Sequence, residues 1–345
     1  MHFVAHKICD GKKLEKLQQE INDTYTLIYH DLRQFEDDHL EGFLKHFVAY
    51  YYGEKGDFKK RLLEMEFNAH KRYTDNTNFN EKYEKIDDLL FYLSYSSKVW
   101  NFLHTLDEKS ITLIVDDNKK LEIEITPKMR GLLDKMRHLN ALNDNAFLPL
   151  LLSLLTIQRA GKSANEQPYT TKELEAYLEH LESFGFLIYG YGVAGKNTSK
   201  WGKALNYLLY EYELHHNPET TLNFNGSIES IEHILPQNPD QGYSAKEKNW
   251  AKNPNIVHAL GNLLLMAKNA NSSLSNKPFD EKRKQYLKGS YSEKEVAKNA
   301  SFRVEQIKER SEKLLDFLIA HYRIAELVGE STIKAFKNAS LKDIK

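Results

Sequence analysis

The chain of 345 residues has one cysteine, Cys9. A single thiol excludes a disulfide framework within the chain. It also excludes a zinc centre built from four cysteines, or from two cysteines and two histidines. It fits a reducing, cytoplasmic setting. Long apolar runs are missing as well. The longest, FLPLLLSLLTI at 147–157, falls short of the roughly 20 residues that cross a bilayer, so a buried helix and no membrane partner are expected. The opening MHFVAHKICDGKKLEKL lacks a charged stretch followed by an apolar one, so no secretory leader is expected. Excess charge is missing too: a net charge of −1 argues against generic polyanion binding by the whole chain. No repeat of solenoid period is visible.

What is present is ordinary globular material. Hydrophobic residues make up 41% and charged residues 28%, which is not the composition of a disordered chain. The length allows two or three domains of about 100–200 residues each. Helical spacing dominates. Leu14, Leu17, Ile21, Tyr25 and Ile28 recur at three and four, as do Leu40, Phe43, Leu44, Phe47, Val48 and Tyr51. EKYEKIDDLLFYLSYSSKVWNFLHTL (81–106) is a third amphipathic stretch, and its aromatic stripes read as core. Two β-rich runs in ITLIVDDNKKLEIEIT (111–126) predict a hairpin around DDNKK. Thr170 and Glu173 form a T-x-x-E capping box ahead of a helix. Within YGYGVAGKNTSKW, Gly190, Gly195 and Lys196 match part of a phosphate-loop pattern, but Asn197 stands where a hydroxyl is needed. That stretch reads as a flexible connection. A helix follows from about Trp201 to His215, and helical spacing returns from Val304 to Ile319.

The segment between is of another kind. SIESIEHIL alternates apolar and polar residues as a short strand does, and Pro236 ends the ladder. A loop of about twenty residues is expected next, passing Trp250 and Asn253-Pro254, then a second strand, NLLLM. NANSS reads as a turn, and Ser275 to Leu287 as a basic helix. From Ser244 to Lys288 there are nine Lys and Arg against three acids, a local phosphate-seeking surface or a solvated helix face. Glu232 is a hard oxygen donor suited to Mg²⁺ or Mn²⁺. His233, titrating near neutrality, suits a general base. Neighbours on a regular strand face opposite ways, so the two can share one site only if the strand ends or bulges there.

E-H-I-L-P-Q, followed by G-N-L-L-L and then N-S-S-L-S-N-K-P-F-D-E-K-R, resembles the HNH domain at the C-terminal end of GmrSD-type, modification-dependent restriction enzymes, a branch of the His-Me finger nucleases. The likeness spans residues 228–287. It implies a metal-dependent endonuclease acting on DNA in restriction and phage defence, with one Mg²⁺ or Mn²⁺. Carried onto this chain, His233 is the base. Glu232 and Asn271 are metal ligands, with Asn269 and Asn276 as alternatives to Asn271. Asn262 holds the imidazole or braces the loop. Lys268, Lys277, Lys282 and Arg283 meet phosphates. His258 is a ligand or a structural residue. Glu stands where other HNH nucleases carry Asp. Relatives usually begin with a ParB-like nucleotide-hydrolysing domain marked D-G-Q-Q-R, which is missing here. The chain is thus expected to be a C-terminal part, or a nuclease subunit whose partner supplies that domain. RNA as substrate stays open, as does a non-catalytic DNA-binding or assembly subunit with a degenerate module. The expected fold is mainly α, with helical domains around a small ββα-metal module. The expected divisions are 1–110 (N-terminal helices), 111–220 (hairpin and helices), 221–290 (nuclease module) and 291–345 (C-terminal helices).

Overall fold

A computed structural model describes residues 1–9, 11–33, 38–53, 55–62, 76–116, 119–141, 145–160, 164–166, 169–187, 204–223, 229–239 and 242–345. The chain is mostly helical and divides into two compact units, 1–185 and 186–345. The glycine-rich stretch from Gly190 to Lys196 lies outside the described residues.

In the first unit, α1 (Gly11–Leu32) packs along α3 (Asn76–Thr105). Leu17, Ile21 and Ile28 are buried as their spacing predicts, whereas Tyr25, from the same series, is exposed. Tyr83 donates to the Glu20 carboxylate at 2.9 Å and Ser97 to Asp31 at 2.6 Å, fixing the register of the two helices. Helix α2 (Asp38–Tyr52) sets Phe43 edge-on to Trp100, ring centres 5.8 Å apart. The expected hairpin forms from β1 (Ser110–Asp116) and β2 (Lys119–Glu124), paired antiparallel. Helix α4 (Pro127–Ala141) follows, and then the apolar run folds as α5 (Leu148–Leu155), burying Leu148, Leu151, Leu152, Leu154 and Leu155. Two short strands, β3 (Gln158–Ala160) and β4 (Ala164–Glu166), pair antiparallel after it. Helix α6 (Thr171–Gly185) starts at the expected box: Thr170 N–H donates to Glu173 Oε2 at 2.8 Å, and Glu173 N–H to Thr170 Oγ1 at 3.3 Å.

In the second unit, α7 (Ala204–His216) precedes β5 (Glu229–His233), which pairs antiparallel with β6 (Leu263–Ala267). The connection between them is less loop-like than expected. It contains α8 (Ala245–Lys252), opened by a Ser244–Glu247 capping box, and a helical turn at Pro254–Val257. NANSS is not a turn: it lies in α9 (Lys268–Leu274). Ser272 and Ser273 there donate to the carbonyls of Lys268 and Ala270, so polar residues that often leave a helix are satisfied inside one. The basic helix is shorter than expected, α10 (Phe279–Tyr286), and leads to α11 (Tyr291–Ala297) and α12 (Val304–His321).

Helix α12 lies against the turn that launches β6. Gly261 N–H donates to Ser311 Oγ at 2.8 Å, and the buried Arg310 donates to the carbonyls of Gly261 and Leu263 at 2.9 and 2.8 Å. A Cβ on Gly261 would stand 2.0 Å from the Ile307 carbonyl oxygen, so only glycine permits this approach.

Candidate active site

Strand β5 ends on Glu232 and His233, and side chains from four other segments converge on its last residues and the turn after it. The ladder is regular, Glu232 opposite Leu264 and His233 opposite Leu263, so the two side chains point to opposite sides of the sheet. The bulge needed to bring them to one ion is not there.

Glu232 faces inward and is 4% exposed. Lys282 and Tyr286, one turn apart on α10, reach it together: Lys282 Nζ lies 2.6 Å from Glu232 Oε1, and the Tyr286 hydroxyl donates to the same oxygen at 2.9 Å. Lys282 also donates to the His233 carbonyl at 2.8 Å and to the Ile234 carbonyl at 3.4 Å. Burial pushes the Glu232 carboxyl up and the Lys282 ammonium down, while their mutual attraction opposes both. Tyr286 is raised well above its usual range by burial and then by the Glu232 charge.

Lys282 therefore corrects the expectation that it meets phosphate. It is fully buried, because an internal carboxylate and two carbonyls need its charge. Glu232 departs from its expected role as well. The compensating cation beside it is already an ammonium. Among the described residues no group of three or more His, Cys, Asp or Glu side chains is placed to hold a metal ion. The donor set does not fit a divalent ion on Glu232.

Asn262 is completely buried and spends its amide on main chain. Its oxygen accepts from Leu235 N–H at 2.7 Å, and its nitrogen donates to the carbonyls of Leu235 and Val257 at 2.9 and 2.8 Å. The amide thus ties the turn after β5 to the segment before β6. Asn271 sits within α9, not at the start of α10, and donates to Ser230 Oγ at 2.8 Å and the Ile231 carbonyl at 3.1 Å. Its main-chain carbonyl accepts from Ser275 N–H at 3.2 Å, and its side-chain oxygen accepts from no described residue. Lys268 and Lys277 are exposed, whereas Arg283 is half-buried and donates to the Ala297 carbonyl at 2.7 Å.

His233 is half-buried on the other side. Its Nε2 lies 3.3 Å from His258 Nδ1 and 3.1 Å from the Gln237 side-chain nitrogen. Burial above all, then the neighbouring His258 and Lys282, pushes its pKa down to about 4. The ring is therefore neutral at physiological pH and carries one basic nitrogen.

This folding pattern, a strand ending in Glu-His-Ile-Leu-Pro, a braced Gly-Asn turn and helices returning a lysine and a tyrosine, can be set beside known families. Residues 193–317 match the C-terminal domain of GmrSD restriction endonucleases. The match runs from before β5 into α12 and contains every residue of the site, so this part of the chain is related to restriction endonucleases. DNA is the substrate that a domain of this family implies. No curated protein matches the chain. Among the described residues no helix is long and apolar enough to cross a membrane.

Motif reading missed Tyr286 and Gln237, and it left His258 open between two roles. The signal for Tyr286 was available, since Lys282 and Tyr286 stand four apart on a helix and so share a face. Gln237 closes the E-H-I-L-P-Q motif, but nothing in the motif gives its side chain a partner before the loop is folded.

Proposed function

We propose that β5, β6 and α9 form an HNH nuclease module of ββα type that hydrolyses DNA phosphodiesters with His233 as general base. The observation that carries the reading is the placement of that imidazole at the end of β5, its Nε2 edge held by His258 and Gln237 and its Nδ1 without a partner among the described residues. In the reaction His233 takes a proton from water, the water oxygen bonds to phosphorus, and the bond from phosphorus to the leaving sugar oxygen breaks. That oxygen leaves with a proton from solvent. Lys282 positions the base through its carbonyl, and Asn262 fixes the chain beyond it. The exposed Lys268 and Lys277 supply phosphate contacts that carry affinity without reading sequence. Dependence on Mg²⁺ or Mn²⁺ belongs to the proposal as a condition to be tested, with no ligand role for Glu232. Restriction of modified or phage DNA, together with a ParB-like nucleotide-hydrolysing partner domain or subunit, completes the reading.

The test is plasmid cleavage with ordinary and with hydroxymethylated DNA, in Mg²⁺, in Mn²⁺ and in EDTA. His233→Ala is expected to slow cutting at least about 100-fold with an unchanged melting temperature. Undiminished cutting by this variant rejects the base. A second reading has its own support: with Lys282 seated on Glu232, the module serves as a DNA-gripping subunit without catalysis. Gel retardation of DNA without cutting under either ion favours it.

A further inference from the structure

Resting on His233 as the base, we propose that His258 is the positioning residue that fixes which nitrogen of His233 is basic. His258 follows the helical turn Pro254–Val257, and its own N–H is tied to the Pro254 carbonyl at 3.1 Å. That anchor presents Nδ1 to His233 Nε2 at 3.3 Å, with ring planes 78° apart. Two imidazole nitrogens this close cannot both present lone pairs, so one of them carries the proton between them.

The choice decides whether His233 can act. With the proton on His258 Nδ1, neutral His233 carries its own proton on Nδ1. Its one lone pair, on Nε2, is then covered by His258 and Gln237. With the proton on His233 Nε2, His258 accepts, and the lone pair of His233 sits on Nδ1, the edge with no partner among the described residues. Only the second arrangement leaves a base that water can reach. Gln237 then turns its carboxamide oxygen to the same N–H, a half-turn that breaks no other hydrogen bond of that side chain among the described residues. The arrangement also survives the reaction. When Nδ1 takes the proton from water, Nε2–H still donates to His258, so the imidazolium keeps its orientation and its acceptor.

The tautomer can be read without cutting. In protein labelled with ¹⁵N-histidine, the ring-nitrogen shifts of His233, assigned by loss of its signals in His233→Gln, report which nitrogen bears hydrogen. The wild-type chain is expected to hold Nε2–H. His258→Phe keeps a ring but offers no acceptor. It is expected to mix the two tautomers and to lower kcat for plasmid cleavage at least about tenfold with KM unchanged. His258→Asn, whose carboxamide oxygen comes close to the place of Nδ1, is expected to restore the tautomer and to bring kcat back to within a few-fold. The inference is overturned if wild-type His233 carries its proton on Nδ1, if His258→Phe cuts at the wild-type rate, or if the Phe and Asn variants are equally slow with an unchanged tautomer. Undiminished cutting by His233→Ala would instead reject the base while leaving the tautomer measurement to judge the pair.

Discussion

Among the described residues of the first unit, Glu182 is the one fully buried charged side chain, and the core is built from leucines and stacked aromatics such as Phe43, Phe47 and Trp100. The second unit buries Glu211, Glu213, Glu229, Glu232, Lys282, Glu293 and Arg310. Taking a charge out of water is costly unless it is paired and hydrogen-bonded. In the second unit several of these groups fasten main chain. Glu213 accepts from the amides of Tyr291 and Ser292, Arg310 clamps the turn before β6, and Lys282 holds the end of β5. Apolar packing makes a stable body, whereas charges spent on backbone set a few atoms to a fixed place. The contrast locates the part of the molecule built for geometry.

The contrast can be broken most forcefully at Lys282. Lys282→Met leaves a buried carboxylate without its cation and is expected to cost about 3–5 kcal/mol in the second unit, with unfolding of the first unit unchanged. The loss should shrink as pH falls, because burial already favours protonation of Glu232. Glu232→Gln combined with Lys282→Met should recover most of it. Urea denaturation followed separately in each unit reads all three, and a wild-type midpoint for the single variant would show that the pair does not hold the site.

Gly261→Ala comes next. The added methyl meets the Ile307 carbonyl, and the strain should cost about 3 kcal/mol, read as a lowered midpoint of the second unit. The pH dependence sharpens the comparison further. Unfolded His233 takes up a proton around 6.5 and the folded residue only around 4. Between those values the unfolded chain binds more protons, so stability falls as pH drops through the window. The fall is about 2 kcal/mol once solvent around the half-buried ring is allowed for, and it should vanish in His233→Ala. Cutting should persist to about pH 5 and fade toward 4. The smallest effect belongs to the first unit, where Thr170→Ala removes a helix cap worth about 1 kcal/mol and should leave cutting untouched.

Local rules made much of the fold readable. The hairpin at 111–126, the capping box at Thr170, the buried helix within 147–157 and the two short strands at the site all follow from periodicity and turn chemistry. NANSS was misread because asparagine and serine favour turns in isolation; inside α9 the two serines bond to carbonyls of their own helix, and only Asn271 needs β5 beside it. At the candidate site, composition could not tell which lysine of D-E-K-R-K turns inward. Lys282 and Lys284 are alike as letters. The helical period separates them once Phe279 and Tyr286 define the inner face, and the partner waiting there lies fifty positions back in the chain. Long-range pairings of that kind are invisible to a reading that moves along a single strand or helix.

The ammonium of Lys282 has three hydrogens splayed like the legs of a tripod, and it meets an acid oxygen and the carbonyls of two successive residues. A guanidinium is flat and reaches farther, so arginine cannot stand in this socket although it brings the same charge. The joint thus demands one particular shape of cation, and through it the helix is tied to the last residue of the strand and the one after it.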